Sequence, residues 1–278
     1  KIFIKIHLKL FKNDIIFSYN IQEMFDIKIT KEPIILIDLS YYIFFRSFAT
    51  NKWISFQSNN EEINFIEAFE RHFENDLKKL TRKFKTTKSN IYFGVDCSRT
   101  TIWRNEILPS YKQHRIENPD FDRSIFDYFK STIAIKHKLK LICSDHLEAD
   151  DVIAIIHKEI TDKTNVIIIT NDNDYIQLKN NNTVIMNMQL KDITIRNLMD
   201  NYIIYKALVG DKSDNIKRVG KIKKVEVESL IKKPLKDINE WLEDNNLLEE
   251  FNINMKLIDF NNIPENLSNK LLSNLNIK

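Results

Sequence analysis

The chain has 278 residues, 43% apolar and 29% charged, with a formal net charge of +3. This length supports one large domain or two smaller ones, and the composition excludes a disordered or fibrous chain. No apolar run approaches the roughly 20 residues of a membrane-spanning helix. Cys97 and Cys143 lack the spacing of a zinc or redox pair, which fits ordinary thiols in a reducing, cytoplasmic setting.

The opening KIFIKIHLKLFK alternates apolar and basic residues, and its lysines interrupt any signal-peptide core. Two readings stay open for it. Either residues 1–23 precede a functional start near Met24, or they form an edge strand. We treat 1–30 as a poorly specified extension.

Beyond it, short apolar runs end in acids. Ile34 to Ile37 lead into Asp38, NIYFGVDCS leads into Asp96, and NVIIITNDND leads into Asp172 and Asp174. Continuous apolar runs of this length suit strands covered on both faces of a parallel sheet. Helical patterns separate them. Ile63, Ile66, Phe69, Phe73, Leu77, Leu80 and Phe84 share one helix face, and two more helices are expected over Phe121 to His137 and Ala149 to Ile160. A further strand, Leu139 to Cys143, precedes LEADDVIAIIHKEI. The alternation predicts a doubly wound α/β domain with a mostly parallel central sheet and helices on both faces.

Taken alone, Glu148, Asp150 and Asp151 at the start of a helix read as capping acids. The topology adds to this. Ligands of open parallel sheets sit outside the carboxyl ends of the strands, where Asp38, Asp96, Asp172 and Asp174 would join that trio. Two carboxylates about 4 Å apart repel by roughly 4 kcal/mol at an effective dielectric near 20, so such a cluster requires cations. All-oxygen donors favour Mg²⁺, with Mn²⁺ as a substitute, over zinc. Two such ions clamped by shared carboxylates are a common device for phosphodiester hydrolysis. An EF-hand reading of DNDYIQLKNNNT fails, because Gln177 and Thr183 stand where glycine and glutamate are required.

Two basic segments complete the pattern. After Asp96, Arg99, Arg104, Lys112, Arg115 and Arg123 are interleaved with Trp103 and Tyr111, offering phosphate partners and faces for base stacking. From Lys206 to Lys233 there are nine Lys or Arg, among them Lys212, Lys217, Arg218, Lys221, Lys223 and Lys224. A basic stripe beside an acidic metal site suits a polyanion held while one phosphate is cut. A solvated charged face is the alternative for either segment.

The ordered set LIDLS, VDCSRTTIWRNEILPSYKQHR, LEADDVIA, TNDNDYIQL, GDKSDN and LIDFNNIPENLSNKLL resembles the structure-specific 5′-nuclease (flap endonuclease) superfamily, most nearly the ribonuclease H type of T-even bacteriophages. The resemblance implies a PIN-like core over 31–203 with a helical arch at about 97–123. It also implies a helical duplex-binding domain over 204–278, in which Gly210 to Lys233 form a helix-turn-helix-type element. It places Asp38, Asp96, Asp150 and Asp172 on a first Mg²⁺, with Glu148 close by. Asp174 and Asp214 go to a second, supported by Asp151 and Asp211. Lys112 and Arg115 would flank the scissile phosphate and Tyr111 would stack on or steer the adjoining nucleotide.

IKRVGKIKK departs from the family pattern by keeping only Gly220, so a potassium-binding hairpin is not expected. The implied activity is 5′–3′ exonuclease, flap endonuclease and ribonuclease H cleavage that removes RNA primers and adjacent DNA during replication. The implied partners are nicked or flapped duplex DNA, RNA–DNA hybrids, a single-strand-binding protein and a sliding clamp, with the enzyme a monomer. The alternative is a non-catalytic nucleic-acid-binding protein that keeps the fold, whose mark would be loss of one or more acidic ligands. A small toxin-type ribonuclease would lack both the arch segment and GDKSDN.

Overall fold

Seven short strands of mainly apolar residues organise the described part of the chain: β1 Phe25–Ile27, β2 Ile34–Asp38, β3 Ile91–Gly94, β4 Lys140–Ile142, β5 Val166–Ile169, β6 Thr183–Met186 and β7 Leu275–Ile277. The structure is a computed structural model and describes residues 25–57, 63–115, 118–194 and 201–277. Five strands form one sheet in the order β4-β3-β2-β5-β6, and every pairing in it is parallel. The chain grows from β2 toward β4, then restarts on the other side of β2 with β5. The strand order therefore reverses between β2 and β5, the position where doubly wound sheets open a crevice for ligands.

Strand alternation sorts the core into two layers. Ile34, Leu36 and Ile168 face one layer, with Val152, Ile153, Ile156 and Ile160. Ile35, Ile37 and Ile169 face the other, with Tyr42, Phe69, Phe73 and Phe129. The helices supplying these layers are α1 Leu39–Ser55, α2 Phe65–Phe84, the short α3 Arg104–Ile107, α4 Ser124–Tyr128, α5 Ala134–His137 and α6 Ala149–Ile160. Asn64 caps α2, its side-chain oxygen accepting from Ile66 N and Glu67 N. The helix expected from Phe121 starts at Ser124 instead, and a π-turn over Phe129–Ile133 joins α4 to α5. Strand β6 carries little sequence signal, because TVIM stands between asparagine-rich segments with little apolar length.

A third apolar cluster gathers α7 Tyr202–Val209, α8 Lys224–Leu230, α9 Leu235–Asp244 and α10 Leu248–Ile258, with Ala207, Leu208, Val227, Leu242 and Phe251 at its centre. Ile102 and Tyr111 also belong to it, so the segment after β3 packs on this helical part. The last helix, α11 Glu265–Ser273, returns to the sheet with β7 behind it, and the two bury Leu271 and Leu275 in the first layer. Two expected boundaries shift accordingly. Residues 265–277 belong with the α/β core, not with the helical unit expected over 204–278. Phe25–Ile27, assigned to the extension, pairs as β1 in parallel with β7. Residues 1–24, the rest of that extension, lie outside the described residues. No helix among the described residues is long and apolar enough to cross a membrane.

Candidate active site

All four strand-end acids emerge on one rim. Asp38 is the last residue of β2 and the N-cap of α1, and its Oδ1 accepts from Tyr41 N at 2.9 Å. Asp96 lies two residues past β3. Its oxygens accept from Ala149 N at 2.8 Å, at the first turn of α6, and from Ser40 Oγ. Asp172 caps the turn after β5 and accepts from Asp174 N at 2.9 Å. Gly94 allows α6 to approach the sheet at this rim, since a Cβ there would lie 2.8 Å from both Ala149 O and Ile153 Cγ1. The start of α6 thus brings Glu148, Asp150 and Asp151 to the ends of β2, β3 and β5, and their ligand oxygens fall within 4.8 Å of one another.

Asp38, Asp96, Asp150 and Asp172 all line one cavity of about 1110 Å³. Among the described residues, none of the four has a Lys or Arg ion-pair partner within 4 Å. Their electrostatics show the consequence. Burial, with Asp96 and Asp172 nearby, pushes the Asp38 carboxyl up to about 7. Burial beside Asp151 and Glu148 raises Asp150 well above the ordinary carboxylate range. Tyr175, fully buried, donates its hydroxyl to Asp38 Oδ2 at 3.1 Å and completes that residue's support. Hard oxygen donors gathered without a cation of their own fit a divalent ion.

The second acidic group is built differently. Asp174, Asp211 and Asp214 also offer oxygens within 4.8 Å of one another, but each already has a cation. Lys206 Nζ lies 2.5 Å from both oxygens of Asp174 and 2.7 Å from Asp211 Oδ2. Arg115 donates to Asp214 Oδ1 at 2.5 Å, with Lys112 Nζ 3.9 Å from Oδ2. Burial pushes Asp174 up to about 6, opposed by the adjacent Lys206 ammonium. Burial opposes ionisation of Asp211 too, yet hydrogen bonds from Lys206 and Ser213 outweigh it and lower its pKa.

The turn from Gly210 to Ile216 holds this group. Asp211 and Ile216 exchange backbone hydrogen bonds of 2.9 and 2.8 Å, and Gly210 at φ +73° starts the turn where a Cβ would sit 2.4 Å from Ile216 O.

Lys112 and Arg115 line the wall of the same cavity. Lys112 Nζ donates to Glu148 Oε1 at 2.6 Å. Burial favours loss of its proton, but Glu148 and Asp214 outweigh that and hold the pKa above its usual value. The segment is stitched to the Gly210 turn through Lys112 N to Asp214 O at 3.0 Å and Arg115 Nε to Ser213 O at 2.9 Å. Arg99 and Arg123 also line the cavity. Lys212, Lys217, Arg218, Lys221, Lys223 and Lys224 are exposed on and around the connection from α7 to α8, a helix-turn-helix arrangement.

Four expectations are corrected. Arg104 is not a DNA contact: it is 2% exposed and donates to Asp151 at 2.7 and 2.8 Å, to Glu148 at 3.0 Å and to Leu257 O at 2.8 Å. Asp151, expected to support the second ion, is instead paired with Arg104, Trp103 Nε1 and the backbone N of Glu148. Trp103 is 5% exposed and offers no stacking face. Tyr111, at 3%, presents no open ring face for stacking, which leaves the steering half of its expected role; its hydroxyl donates to Glu148 at 3.0 Å and Asp214 at 3.3 Å, tying the two acidic groups together.

The helical arch is also reduced. Its described residues hold a 3-10 turn at Arg99–Thr101, α3 and further turns, while residues 116–117 lie outside them. Sequence reasoning missed Lys206 as a site residue, counting it only within a basic stripe. Its place five residues before Asp211, on an otherwise apolar helix, was the available signal.

Comparison with known proteins identifies relatives of this chain. The family model for the 5′–3′ exonuclease N-terminal resolvase-like domain matches residues 33–205. A 5′–3′ exonuclease of Mycoplasmopsis pulmonis is 29% identical over 79% of this chain and 73% of its own length. One from Buchnera aphidicola subsp. Schizaphis graminum is 33% identical over 69% of this chain and 67% of its own length. DNA polymerase I of Streptococcus pneumoniae is 29% identical over 69% of this chain, a match that covers 23% of the polymerase.

Among solved structures, the bacteriophage T5 flap endonuclease, in a pseudo-enzyme–product complex with DNA and metal ions, superposes with a TM-score of 0.62. It is 20% identical, and the match covers 87% of this chain and 97% of that one. The T5 5′-exonuclease with bound zinc ions gives the same TM-score at 19% identity and the same coverage. With a family model spanning more than half of its length, the protein belongs to the 5′-nuclease superfamily and is a nuclease of the 5′–3′ exonuclease type.

Proposed function

We propose that the protein hydrolyses phosphodiesters from the 5′ side at flaps and nicks, in duplex DNA and in RNA–DNA hybrids, with Mg²⁺ held at the strand-end carboxylates. The observation that carries this reading is the pairing of Asp38, Asp96, Asp150 and Asp172, acids without cations of their own among the described residues, with a wall of Lys112, Arg115 and Arg99 across one cavity. Asp38, Asp96, Asp150 and Asp172 would hold the first ion, and Asp174, Asp211 and Asp214 the second. When bound, such ions lower the pKa of water and stabilise charge on the leaving oxygen.

The chain's own groups do the rest. Lys112 and Arg115 supply fixed positive charge to the non-bridging phosphate oxygens, the preorganised electrostatics that dominates this kind of catalysis. Tyr111 fixes Glu148 relative to Asp214, and Tyr175 fixes the Asp38 carboxylate. Exposed Lys212, Lys217, Arg218, Lys221, Lys223 and Lys224 hold the duplex backbone by phosphate contacts that weaken with salt. The polymerase relatives support a place in replication, where such cutting removes RNA primers and adjacent DNA.

The test is incubation with a 5′-flapped duplex, a nicked RNA–DNA hybrid and single-stranded RNA, each with Mg²⁺ and with EDTA. Cleavage of the first two in Mg²⁺ alone is expected. Binding without cleavage of any of them would favour a non-catalytic nucleic-acid-binding protein.

A further inference from the structure

We propose that Lys206 is the resident cation of the second acidic group, and that a divalent ion reaches Asp174 and Asp211 only by displacing its ammonium. This rests on the proposed loading of divalent ions in the cavity and adds how one of the two places is controlled. The ammonium is bidentate to Asp174 at 2.5 Å and 2.7 Å from Asp211. A divalent ion bound to the same oxygens would sit about 2.1 Å from them, so the two cations contend for one space.

The backbone beneath Lys206 is fixed. Gly210 N donates to Lys206 O at 2.8 Å, Ala207 and Leu208 are fully buried, and Asn254 Nδ2 from α10 donates to Ala207 O at 2.8 Å. Only the side chain can leave, and the space open to it is the cavity that Lys206 itself lines. No lysine or arginine stands in this relation to Asp38, Asp96 or Asp172 among the described residues. The two places therefore differ in kind: the first takes an ion directly, and the second exchanges one cation for another.

The experiment is Mn²⁺ binding to metal-free protein, followed by electron paramagnetic resonance, for wild type and Lys206→Met. Wild type should show a tight and a weak class of ion, and the variant should tighten the weak class at least tenfold while leaving the tight class unchanged. A weak class that stays the same or weakens further overturns the inference. A second readout uses wild type alone. Acetylation of Lys206 by an N-hydroxysuccinimide ester, read by peptide mass spectrometry, should be slow without Mn²⁺ and several-fold faster once both classes are filled. An unchanged or slower rate overturns the inference alone, whereas a wild type that binds no Mn²⁺ overturns the metal reading beneath it as well.

Discussion

The two acidic groups on the rim use the same side chains and reach opposite electrostatic solutions. Around Asp38, Asp96, Asp150 and Asp172 no ammonium or guanidinium of the described residues is within ion-pair distance, and burial and mutual repulsion push Asp38 up to about 7. Around Asp174, Asp211 and Asp214 the charge is met by Lys206, Arg115 and Lys112. Asp151 marks the extreme, fully buried and neutralised by Arg104. A carboxylate's position on the rim therefore says less about its role than its supply of counter-charge. Acids with internal counter-charge are held by the protein itself, and those without it are the ones a divalent ion would complete under the proposed function.

The largest effect expected from breaking this contrast is on turnover. Asp172→Asn removes a carboxylate that has no cationic partner among the described residues, and cleavage in Mg²⁺ should fall by roughly a thousandfold or more, the equivalent of several kcal/mol of lost charge stabilisation. Affinity for the flapped duplex should be little changed. Equal loss of binding and cleavage would mean that Asp172 serves the fold.

Arg104→Met attacks the opposite case. It strands Asp151 and Glu148 without their guanidinium, and denaturant unfolding should show a loss of about 3–5 kcal/mol. If stability is unchanged, the buried pair is not structural. Lys112→Ala should slow the single-turnover rate at saturating substrate about a hundredfold, with a smaller change in binding. An unchanged rate would remove Lys112 from the chemistry.

The smallest expected effect is a control from outside the rim. His157, 5% exposed and paired with Thr183 at 2.8 Å, has its pKa lowered by burial from 6.5 to about 4. Between those values the unfolded chain binds more protons than the folded one, so stability should rise with pH from about 4 to 6.5. This accounts for at most about 3 kcal/mol. Unfolding midpoints of His157→Gln should lose that part of the pH slope; an unaltered slope would assign it to other groups.

Much of this arrangement is readable from residue order. The runs before Asp38, Asp96 and Asp172 are strands, α6 spans Ala149–Ile160 as its periodicity predicts, and the parallel order places the acids on one edge. Local pattern carries such features because each depends on neighbours a few residues away. Partner choice does not. Arg104 finds Asp151, 47 residues distant, so a basic residue in a basic segment reads as a DNA contact until packing is known. A hint was present, since Asp151 stands three residues after Glu148, the spacing of a capping box, and Glu148 N does donate to Asp151 Oδ2 at 3.1 Å. Trp103 and Tyr111 likewise read as stacking faces, because nothing local shows that the segment after β3 lies against the C-terminal helices. The return of β7 to β1 joins the far ends of the described chain and has no local signature at all.

The central claim is that the strand-end acids are completed by divalent ions. It is tested most directly by the thermal stability of metal-free protein with and without Mg²⁺, in wild type and in Asp38→Asn. An ion present at a hundred times its dissociation constant stabilises the folded state by about 2.7 kcal/mol, which corresponds to a Tm rise of several degrees. Wild type should show that rise and Asp38→Asn should lose most of it. No rise in wild type, or an equal rise in both proteins, would contradict the account.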